Sequence, residues 1–128
     1  MIFTDICFIS DNVLQLVDFY EKLFNITANE RGEIHSSLKI GGLTLTIDGA
    51  PLSDNPVFSY ASCKSSDNSL IGFNVDDVDS EYRRVVSLGA ETLNEPNTHP
   101  WGARSFQFRD PDGNIINFRS FPKEENKY

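Results

Sequence analysis

The predicted order of elements, a strand, a helix and then three strands, occurs twice within 128 residues, and this repeat constrains the fold most strongly. The first occurrence covers about 1–49 and the second about 69–121, with a link over about 50–68 and a polar tail over 122–128. Each half alone is an open sheet with a helix on one face, so the halves have to cover each other. The sequence predicts a single α+β domain of two βαβββ modules, whose curved mixed sheets surround a cavity.

The first module is predicted from a β-favouring run at 2–10, after which Asp11 or Asn12 caps a helix. Apolar residues at three- and four-residue spacings indicate that helix, and they are Val13, Leu16, Val17, Tyr20, Leu23 and Phe24. The three strands expected after it cover about 26–31, 34–40 and 43–48. Gly41 and Gly42 favour a tight hairpin between the last two strands, because glycine reaches positive φ without steric cost.

The second module repeats this pattern with a strand at about 70–75, a cap at Asp76 or Asp77, and a helix that ends at Gly89. Three further strands are expected over about 92–95, 104–109 and 114–120. The sequence Asp-Pro-Asp-Gly at 110–113 predicts a turn between the last two strands. Its two aspartates are interpreted as turn formers and not as catalytic carboxylates.

Charge and composition exclude several classes of function. The net charge is −8, from 19 acidic and 11 basic residues, which opposes binding to a nucleic-acid backbone. No apolar run approaches the roughly 20 residues that a membrane-spanning helix needs. Cys7 and Cys63 lie in unlike contexts and are interpreted as reduced thiols, which predicts a cytoplasmic location.

Several motifs, taken in their order, resemble one known family. They are Gly-Phe-Asn-Val-Asp-Asp at 72–77, His-Pro-Trp-Gly at 99–102 and Asp-Pro-Asp-Gly-Asn at 110–114, together with the aromatic and leucine pairs within 19–24. In this spacing they resemble the vicinal-oxygen-chelate superfamily, which includes glyoxalases, bleomycin-resistance proteins and extradiol dioxygenases. The resemblance covers about 2–121 and implies the same two-module fold.

The resemblance also implies where a metal would be bound. Metal-dependent members use a histidine in the first strand, a histidine that opens the second module and a glutamate near the end of the last strand. Counting from the matching motifs places these ligands at Thr4, Leu70 and Asn117, and an occasional fourth ligand near Thr46. None of these side chains is an imidazole or a carboxylate, the ligands that Zn, Ni, Mn or Fe prefer. We therefore expect no metal, no cofactor and no metal-dependent catalysis.

Strand parity selects the residues expected to face the cavity. In the first strand it places Thr4, Ile6 and Phe8 toward the cavity, and Cys7 and Ile9 beneath the helix. The full set expected to bind a ligand, from strand faces and nearby loops, is Thr4, Phe8, His35, Thr46, Phe58, Tyr60, Leu70, Asn74, Trp101, Gln107, Asn117 and Arg119. Trp101 has two interpretations, packing alone or a stacking surface at the mouth of the cavity.

Within the family the chain is most similar to the bleomycin-resistance proteins, which lack the metal ligands and sequester a cationic glycopeptide between two subunits. That likeness implies a homodimer and a cationic small-molecule ligand, with no catalytic residue. A second hypothesis is a metal-independent lyase or isomerase that uses Asp48, His35 or Arg119 for acid-base work. A third is a sensor module without catalysis. The sequence leaves all three open, since function on a reused fold depends on the geometry of the site.

Overall fold

The computed structural model describes residues 1–49 and 67–121. The chain divides into two compact units, Met1–Lys64 and Ser65–Tyr128. Of the predicted ligand-binding residues, Phe58 and Tyr60 lie outside the described residues, as do most of the predicted link and the polar tail.

The first unit contains four elements, which are β1 (Ile6–Ser10), α1 (Val13–Phe24), β2 (His35–Ile40) and β3 (Leu43–Gly49). The three strands form one sheet in the order β1-β3-β2. β1 is parallel to β3, and β2 is antiparallel to β3. The connection between the parallel strands β1 and β3 therefore contains both α1 and β2.

Helix α1 begins at one of the two predicted caps, and its end at Asn25 was not predicted. The Asn12 side chain accepts a hydrogen bond from the Gln15 backbone N–H at 3.2 Å, and Asn25 closes the helix at a φ of 52°. The predicted apolar stripe is buried, with the exception of Phe24, and the buried residues are Val13, Leu16, Val17, Tyr20 and Leu23. This stripe packs on the face of β2 and β3 that carries Leu45 and Ile47, which are also buried.

The strand predicted at 26–31 is wrong. Among the described residues, this segment forms one isolated bridge, between Glu30 and Ser37, and no strand. The segment is held to α1 instead, because the Glu21 carboxylate accepts a hydrogen bond from the Ala28 N–H at 2.8 Å. A backbone N–H that donates to a helix side chain cannot also donate to a neighbouring strand. The local sequence pattern of 26–31 does not show this interaction with α1.

The second unit contains β4 (Leu70–Asn74), α2 (Val78–Ser87), β5 (Glu91–Thr92), β6 (Asn97–Thr98), β7 (Arg104–Arg109) and β8 (Ile115–Ser120). Its sheet has the order β4-β8-β7-β5, and β6 pairs with β7. β4 is parallel to β8 while β7 and β8 are antiparallel, which repeats the topology of the first unit. The predicted α+β class with mixed sheets is confirmed. Neither α1 nor α2 is long and apolar enough to cross a membrane.

The middle of the second module differs from the prediction at 92–95. β5 ends at Thr92, and a further short strand, β6, appears that the sequence did not predict. The break follows from Asn94, whose side-chain oxygen accepts a hydrogen bond from the Gln107 backbone N–H at 2.9 Å. A carboxamide has replaced the backbone carbonyl that a continuous strand would offer at this point.

An aromatic core lies between α2 and the sheet of the second unit. Phe106 and Phe108 are both fully buried, and each meets the ring of Phe118 edge to face, at centroid distances of 5.9 Å and 5.0 Å. Tyr82 of α2 contacts Phe106 at 5.2 Å in the same geometry. Such pairs are favourable because the positive ring edge meets the negative ring face. The helix side of this sheet is therefore apolar and closed.

Candidate functional site

The other face of the second sheet, called here the polar face, carries mainly polar side chains. Asn117 of β8 pairs in register with Gly72 of β4 and with Gln107 of β7, so these three positions share that face. Phe118 belongs to the opposite face, where it contacts Phe73. On β4, β7 and β8 the residues of the polar face are Leu70, Gly72, Asn74, Ser105, Gln107, Arg109, Ile115, Asn117 and Arg119. Asn97 of β6 pairs with Ser105 and shares this face. The strand parity predicted for this module is confirmed.

Three side-chain amides on this face are hydrogen-bonded in series. Asn94 Nδ2 donates to Gln107 Oε1 at 2.5 Å, and Gln107 Nε2 donates to Asn117 Oδ1 at 2.6 Å. We call Asn94, Gln107 and Asn117 the amide relay. Gln107 and Asn117 were predicted from strand parity, whereas Asn94 was missed. No sequence signal identifies Asn94, because it lies in a loop and reaches the face only through the folded backbone.

A second group on the same unit combines an indole with an imidazole. The rings of His99 and Trp101 are stacked at 4.6 Å with an interplanar angle of 1°, and Trp101 remains 72% exposed. His99 Nε2 is 2.8 Å from Ser105 Oγ, which ties the stack to the polar face. Gly102, at a φ of 101°, makes the tight return that allows this arrangement. The motif at 99–102 was the signal that could have identified His99 as a site residue.

Three more predicted residues of the polar face lie on the edge strand β4 and its neighbour β8. Leu70 is 53% exposed and offers no polar atom. Arg119 Nε donates to Asn74 Oδ1 at 3.1 Å, and the Arg119 guanidinium lies 5.9 Å from the centre of the Phe121 ring. The second unit thus brings together Leu70, Asn74, Trp101, Gln107, Asn117 and Arg119 from the predicted set.

The parity predicted for β1 is wrong. Phe8 pairs in register with Ile47, which is fully buried, and its ring lies 6.5 Å from that of Tyr20 in α1. Phe8 therefore faces the helix, and Cys7, which pairs with Thr46, faces the other way. The side chains on both faces of β1 are largely apolar, so the sequence did not show which face is turned toward the helix.

Residues of the first unit form two small polar clusters on the face opposite α1. The Thr46 hydroxyl donates to Asp5 at 3.0 Å, and Thr4, which precedes β1, donates to the same carboxylate at 2.7 Å. These two hydrogen bonds lower the pKa of Asp5. The reversed parity makes Asp5 and not Thr4 the residue that shares a face with Thr46.

The second cluster joins three side chains that the sequence had treated separately. His35 Nδ1 is 2.5 Å from Asp48 Oδ1, and the Cys7 thiol donates to the other oxygen of Asp48 at 3.6 Å. Burial, with a further contribution from the Asp48 charge, raises the pKa of Cys7. The thiol is therefore protonated near neutral pH and is not an activated nucleophile.

The pairing of His35 predicts a dependence of stability on pH. The hydrogen bond to Asp48 raises the pKa of His35 above its ordinary value of 6.5. Its stabilising effect is then complete below the unfolded-state pKa and is lost as the pH rises through the folded-state pKa. Urea unfolding at about pH 5.5 and about pH 9 should show His35→Gln to be destabilising mainly at the lower pH. An equal difference at both values would contradict it.

The positions at which the resemblance implies metal ligands do not suit a metal. Leu70 has no donor atom, and the Asn117 oxygen is already used by Gln107. In the first unit the Asp5 carboxylate accepts hydrogen bonds from two hydroxyls, one of them that of Thr46. Within residues 1–49 and 67–121, no three His, Cys, Asp or Glu side chains are grouped so that they could hold an ion.

Comparison with known proteins places these features in a family context. The family model described as the Glyoxalase/Bleomycin resistance protein/Dioxygenase superfamily matches residues 4–118. The uncharacterized protein YraH of Bacillus subtilis (strain 168) is 42% identical over 48 residues, which are 37% of this chain and 38% of YraH. YetH of the same organism is 34% identical over 62 residues, 47% of this chain and 51% of YetH. The chain thus spans about half or less of the curated relatives it matches.

Solved structures share the fold over almost the whole chain. A glyoxalase/bleomycin resistance protein/dioxygenase family enzyme from Burkholderia phytofirmans PsJN superposes with a TM-score of 0.81 at 18% identity, covering 93% of this chain and 100% of its own. A lactoylglutathione lyase from Agrobacterium tumefaciens gives 0.70 at 19% identity, covering 93% and 92%. Identities this low establish the shared fold and carry no activity across.

Proposed function

Because the chain belongs to the glyoxalase/bleomycin resistance protein/dioxygenase superfamily, we propose that it is a metal-independent binding protein for a small amphipathic organic molecule. The proposed ligand is a cationic, aromatic-bearing compound of the bleomycin type. The protein sequesters this ligand and does not convert it. The polar face of the second unit supplies the binding groups.

The observation that carries this proposal is the stack of Trp101 on His99. A large indole that is 72% exposed would ordinarily be mobile, but here the imidazole beneath it is itself held by Ser105. A ring held in place before binding loses little conformational entropy when a ligand stacks on it. The indole is therefore suited to recognise a flat aromatic group.

The charge of the chain supports a cationic ligand. The net charge of −8 creates a field that speeds the approach of cations, and salt screens this effect. The unsuitable metal positions at Leu70 and Asn117 support binding without a bridging ion. The ligand must instead be held by stacking and by hydrogen bonds to the amides of the polar face.

We expect Trp101→Ala to weaken the binding of bleomycin by about 1 to 3 kcal/mol, through the loss of aromatic stacking. Titration calorimetry on the wild type and the variant measures this difference. Trp101→Phe is the matched control, because it keeps a ring and should retain most of the affinity. Pretreatment with a chelator should change nothing, and added salt should mainly slow association. If cationic compounds give no heat while neutral or anionic metabolites do, sequestration is the wrong function.

A second candidate, a metal-independent enzyme, is favoured by the pairing of His35 with Asp48. The carboxylate at Nδ1 orients the ring, so Nε2, which lies 3.6 Å from Glu30 Oε1, is the nitrogen that would transfer a proton. The His35 side chain is 42% exposed. This candidate predicts that a bound compound is recovered chemically changed, and that His35→Gln abolishes the change without preventing binding. Mass spectrometry of the recovered ligand separates the two candidates, since sequestration returns it intact.

A further inference from the structure

The direction of every hydrogen bond in the amide relay follows from one backbone group. The Gln107 backbone N–H can only donate, so the Asn94 atom that it contacts at 2.9 Å must be the oxygen Oδ1. The other end of the Asn94 side chain is then the NH2 group, and its partner on Gln107 at 2.5 Å must be an acceptor. The end of the Gln107 side chain that faces Asn94 is therefore the oxygen Oε1, and the other end is the NH2 group.

The same reasoning continues to Asn117. With its oxygen turned toward Asn94, Gln107 presents its NH2 group to Asn117, and the atom that it meets at 2.6 Å must be Asn117 Oδ1. The remaining end of Asn117, the NH2 group, therefore points away from the relay. No described residue accepts a hydrogen bond from Asn117 Nδ2 in the structure.

Gly72 keeps that nitrogen accessible. It is the register partner of Asn117 on the neighbouring strand, and a Cβ atom at position 72 would lie 3.8 Å from Asn117 Nδ2. Any longer side chain would begin to cover the amide. The absence of a side chain leaves room on the polar face for a ligand atom to approach the donor.

Arg119 adds a positive charge two residues further along the same strand. It projects from the same face as Asn117, because alternate residues of a strand share a face. Its Nε is used by Asn74, while the two terminal nitrogens of the guanidinium have no hydrogen-bond partner among the described residues. Two kinds of N–H donor thus stand side by side.

From this juxtaposition we propose that the polar face holds an acceptor oxygen of the ligand, of the carbonyl or carboxylate class, against Asn117 Nδ2 and the Arg119 guanidinium. The inference rests on the proposed function, since it assigns a second contact to the same ligand. It also gives a reason why the position of a metal-ligating glutamate does not suit a cation here. The relay turns an N–H donor outward at that position, and a donor repels a metal and attracts an oxygen.

Nuclear magnetic resonance on the 15N-labelled full chain tests the contact directly, with three small aromatic probes that differ in one group. We expect sodium benzoate and benzamide to shift the Asn117 side-chain NH2 signals, and benzylammonium chloride to leave them unmoved. A larger shift with benzoate than with benzamide would identify the carboxylate as the preferred group. The inference is overturned if benzylammonium alone moves the signals, or if no probe does.

Two substitutions place an acceptor oxygen where the Asn117 NH2 group now points outward, and both keep the size of the side chain. Gln107→Glu takes away the NH2 group that holds Asn117 Oδ1, so the Asn117 amide should turn and present its oxygen. Asn117→Asp replaces the outward NH2 group with a carboxylate oxygen. Each should weaken benzoate binding by about tenfold or more, the value of a lost hydrogen bond to a charged group. Gln15→Glu, at an exposed position of α1 in the first unit, makes the same charge change outside the polar face and should have little effect.

The outcomes separate this inference from the proposed function. If bleomycin binds the wild type and requires Trp101, while Gln107→Glu and Asn117→Asp bind bleomycin and benzoate normally, the function stands and the inference fails. If bleomycin does not bind but benzoate shifts Asn117 and both variants lose that shift, the inference stands and the sequestration function fails.

Discussion

Phe118→Ala is expected to lower the free energy of unfolding by about 3 to 5 kcal/mol, as large-to-small changes in a packed aromatic core do. Phe118 is 1% exposed and contacts the rings of Phe73, Phe106 and Phe108 at centroid distances of 6.1, 5.9 and 5.0 Å. Truncation removes all three contacts and leaves a cavity that the rigid strand β8 cannot close. Chemical denaturation followed by circular dichroism measures the loss.

The matched control for this experiment is Phe3→Ala, because Phe3 is 73% exposed. An exposed ring contributes little burial, so this variant should stay within about 0.5 kcal/mol of the wild type. Equal destabilisation by the two substitutions would mean that the aromatic cluster is not the core of the second unit.

Asp110→Ala is expected to cost about 2 to 4 kcal/mol, because its buried carboxylate organises the turn between β7 and β8. Asp110 Oδ1 accepts hydrogen bonds from the backbone N–H groups of Asp112 and Asn114, both at 2.9 Å. Asp110 Oδ2 accepts one from the Asn114 side chain, also at 2.9 Å. Alanine would leave these donors without their acceptor in a site where Asp110 is only 5% exposed. Thermal and urea unfolding both report the change.

Two other substitutions make the Asp110 result specific. Asp110→Asn keeps one oxygen for the backbone donors but turns an NH2 group toward the Asn114 side chain, so its cost should be intermediate. Asp11→Ala removes an exposed carboxylate and should be nearly neutral. If Asp110→Ala is no worse than Asp11→Ala, the turn does not depend on the carboxylate. The turn-forming role that the sequence assigned to Asp110 would then be wrong.

Local patterns were enough to predict the elements whose interactions lie close in sequence. Helix α1 was predicted because its N-cap and its apolar stripe both fall within 12–24, and strand β7 was predicted with its observed bounds. The repeat was visible because each unit uses the same order of strand, helix and hairpin. The family could be identified from the same motifs, since they set turns and packing that every member of the fold requires.

Features that depend on distant residues could not be read in this way. The segment 26–31 has a strand-like sequence, yet Glu21 of α1 takes one of its backbone donors. The face of β1 that is turned toward α1 was decided by the contact between Phe8 and Tyr20. These residues are 12 positions apart in the chain, and the alternation of side chains within β1 cannot specify such a contact. In both places a tertiary contact outweighed a weak local preference.

The amino-acid sequence by itself determined the α+β class, the two-module order, the turn at 110–113 and the absence of imidazole or carboxylate at Leu70 and Asn117. Only the tertiary structure decided which end of the Asn117 amide faces outward. An amide side chain carries a donor and an acceptor of nearly equal size, and its sequence position does not distinguish them. The choice was made by the Gln107 backbone N–H, through Asn94, because each hydrogen bond in the series forces the direction of the next.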